Sequence, residues 1–433
     1  MAITWEVDCL AAETTPVPPW KRAETPAVTS APRVPWRVLS AILAWKGFWA
    51  VFTLLVILLP GFNVAAFNLA LQRWPRDAGP VITSHLATWD AAHYLFLSEV
   101  GYVPGTASCA FYPLWPNLIR LGSNVTGGNH LISGLLLANV FSAVAGVLFY
   151  RLVSSQFGNR VAWLSLLLLL LFPGSLFFQF IYSESLFFLL LVGLWTALSR
   201  RQDLPAAALA FLLPLTRGVG IFSAVPLAWY VLEPVWNRCQ ALGRGLPLRR
   251  RLTVSRAVLL QWAATPRLVL PAALLLLAPF LGFMVYLGFM ALCAGGPLEG
   301  IRAQRFWGVQ SAWNLVNVPG FVWSFFHVQT LHDFSGSGLD RAVFVFFLLS
   351  LPTVWRLGRG LSAWALALGL LPAMSGHFVS FTRFCAVALP VFVALGVWLG
   401  HASRRRLLAG YAIASLAIQL VLGWCFLNFY WAG

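Results

Sequence analysis

Within SHLATWDAAHYLFLSEVGY, Ser84 to Tyr102, the chain sets Asp90, His93 and Glu99 among aromatic residues. Only 10% of the chain is charged, so two carboxylates and an imidazole this close together call for a reason. Asp90 and His93 are three residues apart and share one face of a helix. Leu86, Trp89, His93, Phe96 and Val100 recur at helical spacing, with Thr88 a suitable N-cap and Gly101 a suitable end. The segment is therefore expected to be an amphipathic helix lying along a membrane surface. The plainer reading is that Asp90, in the first turn, only stabilises the helix dipole.

Other polar groups stand near the ends of apolar runs. Glu184, in FQFIYSESLFF, sits at a junction where a carboxylate must be hydrated, paired or functional. Arg217 lies in PLTRGVGIF, Arg302, Gln304, Arg305 and Trp307 in EGIRAQRFWGVQ, and Arg383 in HFVSFTRFCAVALP. Pairing with Glu184, Asp90 or Glu299, or snorkelling to lipid phosphates, accounts for such arginines. The sharper account is recognition of a phosphate on a bound lipid, which suits the planar guanidinium fork. A carboxylate with several arginines beside a membrane fits transfer of a sugar from a polyprenyl phosphate. The leaving group is already a phosphate anion, so it needs cationic stabilisation and no strong acid, while the acceptor hydroxyl needs a base. The sequence has no Gly-rich nucleotide loop, in keeping with a lipid-linked donor.

The elements that must position these groups follow from composition. The chain is 433 residues long, 60% hydrophobic, with mean hydropathy +0.79. Lipid is its solvent, and backbone hydrogen bonds must close within helices. We expect an all-α polytopic membrane protein of about eleven transmembrane helices, near 38–60, 131–152, 160–178, 184–199, 204–215, 219–236, 268–293, 339–355, 361–375, 385–400 and 407–430. Residues 1–37 are expected to form a disordered cytoplasmic tail and 38–433 the membrane domain. With the N-terminus inside, 20 of the 29 Lys and Arg fall on inner segments, obeying the positive-inside rule. Arg73, Arg76, Arg120, Arg217, Arg302, Arg305, Arg341 and Arg383 remain outside, as do six of the seven histidines. Two long outer loops, 61–130 and 294–338, hold most of the polar inventory, the first carrying amphipathic helices. No internal repeat is visible, which weighs against the inverted-repeat transporters. The six cysteines are isolated, so neither a disulfide framework nor a zinc site is expected. No metal or cofactor is expected; His327 with His332 and Asp333 is the one grouping with any ligand character.

Taken in order, Trp89-Asp90-x-x-His93-Tyr94, Gly101-Tyr102 and Ala110-Phe111-Tyr112-Pro113-Leu114-x-Pro116 resemble the first luminal loop of the GPI mannosyltransferase 2 (PIG-V) family. Tyr182-Ser183-Glu184-Ser185-Leu186-Phe187, Thr216-Arg217-x-x-Gly220, Gln304-x-x-Trp307 and Arg383 resemble its later signatures. The resemblance spans roughly residues 40–400. It implies a GT-C-like fold, a polyprenyl-phosphate sugar donor, and an active site in the first outer loop. By resemblance Asp90 is the acidic catalytic residue and His93 supports it. Trp89, Tyr94, Glu184, Gln304 and Trp307 are expected to bind substrate. Arg217, Arg305 and Arg383 are assigned to the donor phosphate, chiefly on the charge argument. The chain departs from the family at Gly105, where an acidic residue is usual, and at Gly218-Val219, which replaces a polar pair.

The resulting expectation is an inverting glycosyltransferase that moves a sugar, mannose by resemblance, to a hydroxyl acceptor on the extracytoplasmic face. The acceptor is an unidentified glycan, lipid or protein; membrane lipids are the other partners, and no nucleic acid is implicated. The site is expected outside a bacterial plasma (inner) membrane, or in the endoplasmic reticulum membrane of a eukaryote. The alternative is a lipid-linked-sugar flippase or transporter that uses the same arginines for phosphate. A third reading is a scaffold in which Asp90 is only a helix cap.

Overall fold

The structure, a computed structural model, describes residues 36–77, 79–308 and 311–433. The expected tail lies outside these residues except for Trp36 and Arg37, which already belong to the first helix. Helix α1 (Trp36–Leu58) is apolar nearly all round and little buried, as lipid solvation permits. The first loop carries α2 (Asp90–Glu99) and α3 (Leu114–Ser123), and after it the chain forms α4 (His130–Phe157), α5 (Asn159–Leu171), α6 (Glu184–Ser199), α7 (Asp203–Thr216), α8 (Ala224–Gly243) and α9 (Leu248–Ala263). Then come α10 (Pro266–Cys293), α11 (Gly338–Leu357), α12 (Arg359–Ala365), α13 (Leu389–Leu399) and α14 (Arg405–Leu427). The described residues contain no β-strand.

Among the described residues, six helical segments are long and apolar enough to cross a membrane, and four more apolar helices are shorter. The expected 361–375 span is present in pieces: α12 runs into a π turn, Leu366–Leu370, and then a short helix, Leu371–Gly376. The 160–178 span stops at Leu171, because Pro173 supplies no amide to continue the ladder. Between the expected spans 219–236 and 268–293, α8 runs on to Gly243 and the arginine-rich stretch after it forms α9.

The shorter helices explain where the site can sit. Helices α5, α6, α7 and α13 have 13, 16, 14 and 11 residues. At about 1.5 Å per residue none reaches the ~30 Å of a hydrocarbon core. The missing length comes from irregular pieces, Pro173–Phe178, Gly218–Ser223 and Phe381–Cys385, all at one end of the bundle. Glycine lets two of these backbones meet: a Cβ on Gly174 would lie 2.1 Å from the Thr382 carbonyl oxygen. The opposite end carries the tight turns at Gly158, Arg200–Gln202, Gly358 and Gly400, with most of the basic residues beside them.

Both long loops fold over the end with irregular backbone. Helix α2 does not lie along the surface as expected: every residue from Ala91 to Ser98 is buried. Phe111 packs on Tyr94, and the second loop's Trp307 closes over His93 and Phe111. The helix also starts one residue later than Thr88 implied. Trp89 takes the N-cap position at φ +50°, and Thr88 Oγ1 is buried with no hydrogen-bond partner. The Asn317 side chain, in contrast, caps the helix Val318–Phe326 of the second loop by accepting from the Gly320 amide.

Candidate active site

Asp90 stands at the first position of α2, and its amide donates to the Tyr182 hydroxyl at 3.3 Å. Trp89 just before it holds a left-handed backbone, a conformation that a non-glycine residue keeps only where the surroundings enforce it. Its indole donates to the Tyr430 carbonyl at 2.9 Å, and its ring lies against Phe429 and Trp431. The C-terminal segment thus fixes the turn that presents Asp90.

Arg383 Nη1 is 2.6 Å from Asp90 Oδ2, and its Nε is 3.1 Å from Glu184 Oε1. The same Glu184 oxygen pairs closely with Arg217 Nη1. Arg217 continues to Ser183 Oγ at 3.3 Å, and Ser183 to the Tyr94 hydroxyl at 2.9 Å. Asp90–Arg383–Glu184–Arg217 is therefore one chain of alternating charge, drawn from the first loop, α6, the end of α7 and the turn before α13. Aromatic faces flank it: Arg217 lies 4.8 Å from the Phe384 centroid and Arg383 5.4 Å from Tyr182. Burial grades along the chain. The Glu184 side chain is 2% exposed and Arg383 11%, whereas Asp90 is 24% exposed. Asp90 is thus the carboxylate open to a reactant, and Glu184 the one that holds both arginines. Glu184 Oε2 is buried and makes no hydrogen bond among the described residues.

A buried carboxylate that sequence reasoning missed supports this chain. Asp340, fully buried in the first turn of α11, accepts from the Thr382 amide at 2.6 Å, one residue before Arg383. Its neighbour Arg341 donates to the Ser324, Phe325 and Ser337 carbonyls, tying the second loop to the same region. The signal was an acid beside a basic residue at the start of a span, but its partner is a backbone amide that no residue type announces.

Not every expected residue joins the chain. His93 is buried and bonded through Nδ1 to Ser108 Oγ at 2.9 Å, with its ring stacked on Phe111. Burial lowers its pKa to about 3, so it is neutral at physiological pH, and no hydrogen bond links it to Asp90. Arg305 lies in the second loop with its guanidinium over Phe306, away from both carboxylates. Gln304 reaches the Ala110 carbonyl at 3.4 Å, and Trp307 packs edge-on against His93. At Gly105, Glu299 of the second loop accepts from the backbone amide at 3.0 Å. His332 turns to Ser337 and Asp340, and His327 to Gln329, so the expected ligand-like grouping does not form. Among the described residues no three His, Cys, Asp or Glu side chains are grouped as a metal site.

Fold and site together define a multi-spanning membrane protein whose ion-paired carboxylates lie under two loops at one end of the bundle. A family model described as mannosyltransferase (PIG-V) matches residues 79–334, and the chain belongs to that family. That match takes in Asp90, Glu184, Arg217 and Arg305, while Arg383 lies beyond it. The GPI alpha-1,6-mannosyltransferase 2 of Cricetulus griseus is 30% identical over 148 residues, covering 32% of this chain and 30% of that protein. The Rattus norvegicus protein of the same name is 30% identical over 180 residues, covering 39% and 36%. The chain thus spans about a third of the length of these curated relatives. Among solved structures, the Archaeoglobus fulgidus oligosaccharyltransferase is similar at 15% identity and a TM-score of 0.48, over 90% of this chain and 56% of that one. ArnT from Cupriavidus metallidurans, bound to undecaprenyl phosphate, is similar at 15% identity and a TM-score of 0.28, over 82% and 78%.

Proposed function

We propose that the chain is a GT-C-type, inverting mannosyltransferase that takes its sugar from a polyprenyl-phosphate carrier at the extracytoplasmic face. The acceptor hydroxyl attacks the anomeric carbon from the side opposite the phosphate. As that C–O bond forms, the bond from the anomeric carbon to the phosphate oxygen breaks, and the polyprenyl phosphate leaves with the electron pair. Asp90 takes the hydroxyl proton. Arg383, already at Asp90, meets the charge growing on the phosphate, with Arg217 behind it, while Arg305 stands outside the charged chain in the second loop. Trp89, Tyr94, Gln304 and Trp307 frame the substrate in this reading, and Glu184 keeps the arginines in place.

The observation that carries the reading is the chain Asp90–Arg383–Glu184–Arg217, with its acidic end the more open. A carboxylate beside fixed guanidinium groups is what a phosphate-leaving displacement needs. Family membership supports mannose as the sugar. The extracytoplasmic assignment rests on the gathering of basic residues at the opposite end of the bundle.

The test is release or transfer of mannose from a short-chain polyprenyl-phosphate mannose by the purified protein, with Asp90→Asn alongside. Turnover by the wild type that falls by about 10²–10⁴ in the variant is the expected result. Donor binding without turnover would instead favour the transporter reading. Equal turnover by both proteins would remove Asp90 from the mechanism.

A further inference from the structure

A cavity lies between the second loop and the turn that precedes Arg383. Trp307, Asn314, Phe334, Ser335, His377 and Val379 line a cavity of about 380 Å³, within the range of small-molecule sites. Each wall leads by one or two contacts to the charged chain. Trp307 meets His93, one helical turn from Asp90, with ring centroids 5.2 Å apart. Phe334 meets Trp431 at 5.0 Å, and Trp431 meets Trp89 at 5.4 Å. The 377–380 wall runs directly into Arg383, whose amide donates to the Ser380 carbonyl at 3.0 Å.

The chemistry of the lining is specific. No lining side chain bears a fixed charge, so the cavity offers a phosphate no cationic partner. It does offer aromatic faces, the Ser335 hydroxyl, the Asn314 amide, whose Nδ2 donates to the Ser375 carbonyl at 3.0 Å and leaves its Oδ1 as the acceptor, and the His377 imidazole, whose Nε2 is buried with no hydrogen-bond partner among the described residues. The wall is also held in a costly conformation: His377, Phe378 and Ser380 have φ of +45°, +70° and +57°. Non-glycine residues cluster in this region of backbone space at ligand clamps. Apolar faces with a few neutral, convergent hydrogen-bonding groups match a pyranose ring, whose C–H face stacks and whose hydroxyls bond.

We propose that this cavity binds a neutral sugar ring of the acceptor and presents one of its hydroxyls to Asp90. The assignment rests on the transferase reading given above, but binding can be measured without turnover. Saturation-transfer NMR on the full chain in nanodiscs uses the methyl glycosides of mannose, glucose and N-acetylglucosamine as probes. At least one should receive saturation on its ring protons with the wild type. Asn314→Ala with His377→Ala should weaken it by about tenfold, the loss expected for two neutral hydrogen bonds. No saturation with any glycoside, or equal binding by that double variant, overturns the proposal. So does a phosphorylated sugar that binds about tenfold more tightly than its neutral parent, since that would mark a phosphate site. Failure of the wild type to turn over polyprenyl-phosphate mannose, with glycoside binding intact, would sink the transferase reading and leave the sugar site standing.

Discussion

Glu184→Gln isolates what the buried end of the charged chain contributes. The change keeps the side chain's size and removes the negative charge that holds two arginines. Arg383 retains Asp90 at 2.6 Å. Arg217 is left with Ser183 Oγ at 3.3 Å and the face of Phe384, and its side chain is only 10% exposed. Leaving a buried charge without its partner costs about 3–5 kcal/mol. Arg217→Met removes the other member of the pair and should cost a similar amount, because Glu184 then depends on Arg383 alone. The two together should cost little more than one, giving a coupling energy of about 3 kcal/mol in a double-mutant cycle. The same cycle across Asp90 and Arg383 should return about 1 kcal/mol or less, since Asp90 is partly hydrated. Reversible unfolding in mixed micelles supplies all of these values. Additive effects of the Glu184 and Arg217 substitutions, to within ~0.5 kcal/mol, would refute the argument that this pair is the anchor of the site.

Asp90→Asn should change stability by less than about 1 kcal/mol while abolishing most turnover, and unfolding and activity measured on one preparation separate the two. Gly174→Ala should cost about 1–3 kcal/mol and lower activity, because its Cβ would meet the Thr382 carbonyl oxygen at 2.1 Å and push the Arg383 segment away. Asp340→Asn should cost about 1.5–3 kcal/mol and reduce turnover with Asp90 untouched, since it weakens the bond to the Thr382 amide; unchanged activity would limit Asp340 to a role in folding. His93 supplies a pH dependence. Its folded pKa, about 3, lies below its ordinary 6.5, so the unfolded chain takes a proton that the folded chain refuses. Its contribution is complete above pH 6.5 and is lost as the pH falls towards 3, at up to about 1.4 kcal/mol per pH unit. Denaturation of the wild type and His93→Gln at about pH 7 and 5 should show the shallower fall in the variant.

What could be read from the sequence follows the cost of charge in lipid. Asp90, Glu184, Arg217 and Arg383 stood out because an apolar chain carries such groups only where something compensates them, and the structure brings these four together. The pairing expected on the plainer reading is what Arg217 and Arg383 make. Spacing could not say that His93 turns into the loop core to meet Ser108, because the face a helix buries depends on what later segments lay over it. Arg305 looked equivalent to Arg383 by residue type and context, yet only Arg383 lies on a backbone pinned by Asp340 and Gly174. Lys46, within α1, donates to Ser142 Oγ at 2.6 Å and to the Phe178 carbonyl at 2.9 Å. Backbone acceptors of that kind leave no mark in a sequence.

The four shortened helices bear on how turnover should be counted. Helices α5, α6, α7 and α13 are shorter than α4 and α10, and irregular segments complete the bundle at the end that carries the charged chain. On the proposed reading, a lipid-linked donor would meet Asp90 with its tail among neighbouring lipids, and the search for substrate would be confined to two dimensions. For such an enzyme the governing concentration is the donor's mole fraction in the bilayer. Adding inert lipid at constant total donor should slow the reaction, whereas diluting the whole suspension with buffer should leave the rate per protein unchanged.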